Sequence, residues 1–450
     1  MQSIMSVFKS TSPQRLILFY YALCLFVATL LMQIPLLYRS GASVSFMDTV
    51  FVAASGISVT GLTTVNIAET FSVPGYIVLM FILNLGGIGI MAVSTFVWVV
   101  LGVKVGLKER AAIMVDNSQV KMSGGVKLVL NIVQLLFVIE LIGAIIYTTI
   151  FYIETGNFAK SLLDGVFLSV SATTNCGFDL YEQSLIGYSN NYIIQVPVML
   201  QIVLGAIGYP VLIEIKEYFS KKNKRFKFSL FTKVTVTMYS ILFVLGAFMY
   251  TLLEWNGNSA EESAFSKIMN GVFMSISARS GGIVVEDPST LNEVTQMILS
   301  MLMFIGSSPS SAGGGIRTTT LLIIIVTVYA FSKGRKHVSM FKRRIARQDI
   351  DRAFVVLAIA MFLVFIGVCI IAFVDGSKLG LGAIIFEVTS AFGTCGMSMG
   401  ITKDLSTVSE CVIILFMFIG RVGFVSFLLS IGGKQTKEVF KYPEERLMVG

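Results

Sequence analysis

Four glycines end four similar short segments. Phe51-Val-Ala-Ala-Ser-Gly-Ile-Ser-Val-Thr-Gly61, Phe167-Leu-Ser-Val-Ser-Ala-Thr-Thr-Asn-Cys-Gly177 and Phe386-Glu-Val-Thr-Ser-Ala-Phe-Gly-Thr-Cys-Gly396 each place a Phe ten residues before the Gly. Phe273-Met-Ser-Ile-Ser-Ala-Arg-Ser-Gly-Gly282 is one residue shorter, and its upstream Asn270-Gly-Val-Phe273 matches Asp164-Gly-Val-Phe167. A single such glycine reads as helix packing; four in register read as one device. Each segment has about 11 helical residues before its Gly, and at about 1.5 Å per residue it crosses about half of a roughly 30 Å hydrocarbon core. The chain must then turn back inside the membrane, where non-helical backbone is tolerated only if its carbonyls line a cavity or bind something. The candidate binding backbone is Val59, Thr60 and Gly61; Asn175, Cys176 and Gly177; Ser280, Gly281 and Gly282; and Thr394, Cys395 and Gly396. Four loops around one axis present rings of carbonyl oxygen in place of an ion's hydration shell. The short helices aim their partly negative C-terminal ends at the same loops. Glycine supplies the backbone conformations and keeps the lumen free of side chains. A cation suits this geometry.

A second motif follows each loop: Leu85-Gly-Gly-Ile-Gly89, Leu204-Gly-Ala-Ile-Gly208, Ile305-Gly-Ser-Ser-Pro309 and Ile419-Gly-Arg-Val-Gly423. Small residues there let helices approach each other or a narrow pore. In the third copy Ser307-Ser-Pro-Ser-Ser-Ala-Gly-Gly-Gly315 carries too many breakers for a continuous helix. The stretch Ser310, Ser311, Ala312, Gly313, Gly314 and Gly315 is a candidate intramembrane gate, with a locally unwound packing element as the alternative. A phosphate-binding loop is a poor fit, because no Gly-Lys-Ser/Thr ending and no preceding strand is present. Arg421 stands where the other copies have Gly87, Ala206 and Ser307. A charge near the bilayer centre costs about 2.5–3.5 kcal/mol on insertion scales and is functional by default. Facing a pore, Arg421 would repel cations and donate to the unwound loop's carbonyls; a structural ion pair with Glu387 is the alternative. Glu387 itself reads as a buried acceptor steadying the fourth loop.

The elements that position these residues are membrane helices. With 55% hydrophobic and 13% charged residues and a mean hydropathy of +0.82, no soluble fold fits the 450-residue chain. Apolar stretches of spanning length begin near Leu16, Tyr76, Leu128, Tyr192, Val234, Met297, Phe354 and Val412. The expected fold is an all-α polytopic membrane protein with four repeats of outer helix, re-entrant pore helix and loop, and inner helix around a central pore. The repeats are residues 1–110, 111–222, 223–340 with the gate loop at 305–316, and 341–433, followed by a tail at 434–450.

Net charge is +8, but its placement follows topology. Lys9 and Arg15, Lys104 to Lys127, Lys216 to Lys233, Lys333 to Arg352 and Lys434 to Arg446 occupy alternate connections, whereas Glu69, Glu154, Asp179, Glu182, Glu261, Glu262, Glu286, Asp287, Asp375 and Asp404 occupy the others. The positive-inside rule puts both termini in the cytoplasm, and no nucleic-acid partner is needed to explain the basicity. Cys24, Cys176, Cys369, Cys395, Cys411 and the single His337 show no zinc or nucleophile spacing. A membrane-embedded enzyme would cluster acids or show a Ser/His or metal motif. A secondary cation symporter with a midplane site would show inverted repeats, whereas these copies run in one sense.

The order of elements, with Ser58-Val-Thr-Gly-Leu62, Thr174-Asn-Cys-Gly-Phe178, Ala278-Arg-Ser-Gly-Gly282 and Gly393-Thr-Cys-Gly-Met397, resembles the Trk/Ktr/HKT superfamily of K⁺ and Na⁺ uptake proteins. The length and the ending Tyr442-Pro-Glu-Glu-Arg-Leu-Met-Val-Gly450 are most similar to the Ktr branch. The resemblance implies K⁺ held at the filter carbonyls, with Gly61 in the K⁺ pattern and Ser there in Na⁺-permeable members. The third loop reads Arg279-Ser-Gly-Gly282 where Arg-Thr-Ala-Gly is commoner. It further implies potassium uptake by a channel-like pore in the cell membrane, a movable gate, and a homodimer with one pore per subunit. A cytoplasmic ring of nucleotide-binding KtrA/KtrC-type subunits would regulate it through ATP and ADP. No covalently bound cofactor is implied, and Na⁺ dependence is left open.

Overall fold

The computed structural model describes residues 13–89, 125–181, 184–219, 226–257 and 263–423, with a few isolated positions besides. The basic stretch Lys104 to Lys121, part of Lys216 to Lys233, Glu182, Glu261, Glu262, the 110/111 boundary and nearly all of the tail lie outside the described residues.

Four long apolar helices, α1 (Pro13–Met32), α4 (Gly125–Thr155), α8 (Leu230–Leu253) and α12 (Arg347–Asp375), coincide with the expected outer spans. Their outward faces carry Phe26, Phe137, Phe248 and Phe362, all well exposed, which suits lipid as the surrounding solvent. Short helices follow them: α2 (Phe46–Ser58), α5 (Phe158–Thr174), α9 (Ala264–Ser277) and α13 (Leu381–Gly393). At 13 to 17 residues they exceed the expected 11, because each begins upstream of its Phe. They are still only about 20–25 Å long. Phe51, Phe167, Phe273 and Phe386 are completely buried, which explains the recurring aromatic as a packing anchor.

The inner spans differ from expectation. The sequence places a break only in the third, yet in all four a described helix ends at the second motif. Helix α3 (Val73–Ile88) stops at Gly89 with φ +93°, and α14 (Thr407–Val422) stops at Gly423 with φ +86°. Helices α6 (Tyr192–Ala206) and α7 (Tyr209–Phe219) meet at 105° around Gly208. Helix α10 (Glu293–Ile305) ends at Gly306, and the chain resumes as α11 (Thr318–Ser332). A residue at positive φ leaves the helical ladder, and glycine does so without strain.

Each short helix packs on the outer helix of its own unit, and also on the inner helix of the unit before it: α5 on α3, α9 on α6, α13 on α10. Helix α2 packs on α14, the last inner helix, so the contacts form a closed cycle. The basic connection between α11 and α12 contains a small hairpin, β1 (Ser339–Met340) and β2 (Arg343–Arg344), turning through Phe341 and Lys342 at φ +48° and +62°. Two central residues at positive φ are the signature of a tight hairpin turn.

Candidate functional site

At the ends of α2, α5 and α13 the chain passes through a left-handed residue, Val59 (φ +57°), Asn175 (φ +60°) and Thr394 (φ +47°), before the glycine. A left-handed β-branched residue costs about 1–3 kcal/mol and persists where surrounding structure imposes it. The constraint is a serine four residues after each Phe. Thr60 N–H donates to Ser55 O (2.8 Å), Cys176 N–H to Ser171 O (2.9 Å) and Cys395 N–H to Ser390 O (2.9 Å). Gly61 N–H reaches Ser55 Oγ (2.9 Å) and Gly396 N–H reaches Ser390 Oγ (3.1 Å). The third loop, one residue short, has no left-handed cap: Ala278 stays right-handed, and the N–H groups of Ser280, Gly281 and Gly282 all converge on Ser277 O at 3.1, 2.7 and 3.3 Å. The serine at this register in all four copies is a signal the sequence contained and the motif reading missed.

With their N–H groups tied back, the loop carbonyls face neighbouring loops. A Cβ added to Gly61 would overlap the Cys176 carbonyl oxygen, one at Gly282 the Cys395 oxygen, and one at Gly396 the Thr60 oxygen; at Gly177 it would stand 2.9 Å from Gly281 O. Gly61, Gly177, Gly282 and Gly396 therefore meet, each presenting the preceding residue's carbonyl to the group. Such oxygens can replace water around a cation.

Beneath them lies the loop 306–317. Gly314 packs against Thr394, Gly315 against Gly393, and a Cβ at Gly313 would overlap Ser280 Oγ. Three consecutive glycines are required because any side chain there would collide with the Ser280 and Thr394 side chains or with the backbone at Gly393. Its own polar groups are used: Ser308 N–H donates to Ala206 O (3.2 Å), Ala312 N–H to Gly205 O (3.1 Å), and Tyr209 N–H to Ser310 O (2.8 Å). Ser307 and Ser311 hydroxyls pair at 2.7 Å. Arg421, buried, donates through one terminal nitrogen to Ala312 O and, at 3.5 Å, to Ser311 O; through the other it reaches Gly86 O and, at 3.2 Å, Gly87 O. Arg317 donates to Ser308 O (3.2 Å) and to Gly313 O. Arg421 is not paired with Glu387. That carboxylate instead accepts from Ser398 (3.2 Å) and Thr402, beside the fourth loop.

On the side where the loops leave the glycines, a cavity of about 520 Å³ opens, lined among others by Thr64, Asp179, Asp287 and Lys403. Burial pushes the Asp179 carboxyl up to about 7, against hydrogen bonds from Tyr181 N–H and Ser184 that pull it down. Asp179 is charged above that pH and neutral below it. Loss of one charge from this cavity is worth about 1 kcal/mol to a cation within it, a factor of about five. If this cavity lies on a cation's route, ion flux at subsaturating concentration should fall about fivefold as the pH bathing it drops from 8 to 6, and Asp179→Asn should be low and flat across that range. An unchanged pH profile in Asp179→Asn would remove this residue from the ion path.

The class is that of a multi-pass membrane transporter, and comparison agrees. The TrkH family, described as cation transport proteins, matches residues 23–437, and this chain belongs to that family. It is 42% identical to "Ktr system potassium uptake protein D" of Bacillus subtilis over 98% of each chain. It is 32% identical to "Potassium/sodium uptake protein NtpJ" of Enterococcus hirae, again over 98% of each. The crystal structure of the potassium transporter TrkH from Vibrio parahaemolyticus shares the fold, with a TM-score of 0.71 and 15% identity over 93% of this chain and 85% of that one. Membership removes the enzyme alternative and bears out the Trk/Ktr resemblance.

Proposed function

We propose that this chain is the K⁺-translocating membrane subunit of a Ktr-type uptake system, in which four re-entrant loops form a selectivity filter around one central pore. The observation that carries the reading is the convergence of Gly61, Gly177, Gly282 and Gly396 with the preceding carbonyls turned toward their neighbours. K⁺ is the ion favoured by glycine at all four positions and by the potassium uptake named in the relatives. Na⁺ is a second permeant or stimulating ion, in line with the relative named for potassium and sodium. The loop 306–317 and Arg421 act as the gate. The protein sits in the plasma membrane with both termini cytoplasmic, as a homodimer with one pore per subunit.

A regulator is required, because an always-open pore dissipates the ion gradient. A cytoplasmic nucleotide-binding ring, conducting with ATP and closed with ADP, would dock on the basic connection between α11 and α12. Lys342, Arg343, Arg344 and Arg347 are solvent-accessible there, and α11 continues directly from the gate loop. Such steering weakens with salt. The test is Rb⁺ flux into liposomes, with and without the ring. Fast nucleotide-independent flux of the isolated subunit, K⁺ preferred over Na⁺, is expected. Strict stoichiometric coupling to a Na⁺ gradient would favour the symporter reading instead. Neutralising Lys342, Arg343, Arg344 and Arg347 together should abolish nucleotide control and leave selectivity intact; full control in that variant would move the docking surface elsewhere.

A further inference from the structure

Arg279 belongs to neither the proposed filter nor the proposed gate, yet among the described residues it is the largest of the fully buried side chains. Among the described residues no carboxylate neutralises it. Its guanidinium lies over the Tyr239 ring, 4.1 Å from the centroid, and donates to Tyr239 O (3.2 Å) and Gly306 O (3.0 Å); its Nε has no partner. A buried cation held only by carbonyls and a ring face is costly to keep, so what it holds deserves a cause. Gly306 is the residue at which the chain leaves α10 for the loop 306–317, with φ +59° and ψ −153°. That region of backbone space is accessible essentially only to glycine. Arg279 therefore grips the carbonyl of the loop's hinge.

The same segment touches the loop a second time. Ser280, the next residue, is where a Cβ at Gly313 would collide. By contrast, Arg317, at the end of the loop itself, and Arg421, on α14, hold Ser308, Gly313, Ser311 and Ala312 from outside the third glycine-ended loop. That loop is also fixed differently from the others, since it lacks the left-handed cap and its last three N–H groups share one carbonyl.

We propose that Arg279 is a positioning residue that ties the hinge of the gate loop to the third filter loop, so that gate movement changes K⁺ over Na⁺ discrimination as well as rate. The inference rests on the filter and gate reading above. Gly306 cannot rotate its carbonyl without releasing the guanidinium, whose own backbone is one residue from Ser280. A Lys at 279 keeps the charge but loses the planar fork that spans both carbonyls.

The experiment is a cycle of Rb⁺ flux and Rb⁺/Na⁺ selectivity in liposomes, with Arg279→Lys, deletion of residues 310–314, and both together. Arg279→Lys alone should raise flux and lower selectivity, each by about tenfold, the scale of one charged hydrogen bond. In the loop-deleted protein the same substitution should change neither, since Gly306 remains but no gate loop swings from it. Equal effects in both backgrounds would mean that Arg279 acts on the filter alone, and unchanged selectivity would reduce it to packing. If Arg279→Lys does not assemble, Tyr239→Leu removes the ring under the guanidinium, leaves both carbonyls, and carries the same cycle. Absence of Rb⁺ flux in the unaltered protein, or no gain on loop deletion, would instead overturn the proposed function or its gate.

Discussion

Gly61→Ser is expected to lower discrimination of K⁺ over Na⁺ by at least about tenfold, which corresponds to about 1.4 kcal/mol. Two effects act together. Gly61 has φ +97°, where a side chain costs about 1–2 kcal/mol. Its Cβ would also overlap the Cys176 carbonyl oxygen and stand 3.2 Å from Gly396 Cα. The strain alone destabilises the loop; the collision displaces a proposed ligand. Gly41 separates them, because it has φ +91° with nothing within 4 Å of an added Cβ. Gly41→Ala should lose stability and keep selectivity, whereas Gly61→Ser should lose selectivity even where it assembles normally. The measurement is the ratio of Rb⁺ to Na⁺ flux in liposomes. A ratio in Gly61→Ser equal to that of the parent would remove Gly61 from the filter.

What could be read from the sequence was whatever repeats locally. The Phe-to-Gly spacing located the loops, since each short helix and its glycine are adjacent in the chain. The run from Ser307 to Gly315 announced its own break through composition. The breaks at Gly89, Gly208 and Gly423 were invisible, because a glycine in an apolar helix reads equally as a packing residue. The packing role falls to their neighbours: Gly86 packs against Ile57 and Val59, and Gly205 against Thr173 and Asn175, just before each helix ends. Arg421 was legible as a charge where its siblings are small, and its partners were anticipated in kind, as carbonyls of the unwound loop. Its reach to Gly86 and Gly87, more than 330 residues away in the chain, was not. Arg279 was hidden for the same reason. Its neighbours in sequence advertise a filter, and its partner is a carbonyl 27 residues further on, brought close only by packing.

Arg421→Ala is expected to raise ion flux by about 30- to 100-fold, equivalent to about 2–3 kcal/mol of gate stabilisation. The guanidinium bridges two elements: Ala312 and Ser311 in the gate loop, and Gly86 and Gly87 at the end of α3. Hydrogen bonds from a charged donor are worth about 1.5–3 kcal/mol each, and those to the loop would hold it in the proposed closed position. Removal also takes a charged donor from four carbonyls inside the membrane, of which Gly87 O keeps the Tyr209 hydroxyl, so the variant should melt at lower temperature. Loss of the positive charge adds a second gain, because a cation leaving the filter no longer meets it. Arg421→Lys divides the two contributions. A Lys keeps the repulsion but has no planar fork to span both elements. If holding the loop dominates, Arg421→Lys should approach Arg421→Ala in flux; if repulsion dominates, it should stay near the parent. The gating role is overturned by an Arg421→Ala protein that assembles with a normal filter, retains K⁺ preference, and conducts no faster than its parent. Tyr209 supplies an internal check, because its hydroxyl donates to Gly87 O (2.8 Å) and its N–H to Ser310 O (2.8 Å), joining the same two elements. Tyr209→Phe removes only the hydroxyl bond, so it should raise flux in the same direction by a smaller factor, about fivefold, the scale of one neutral hydrogen bond. Combined with Arg421→Ala it should add less than it does alone, since two braces on one pair of elements act on a single displacement.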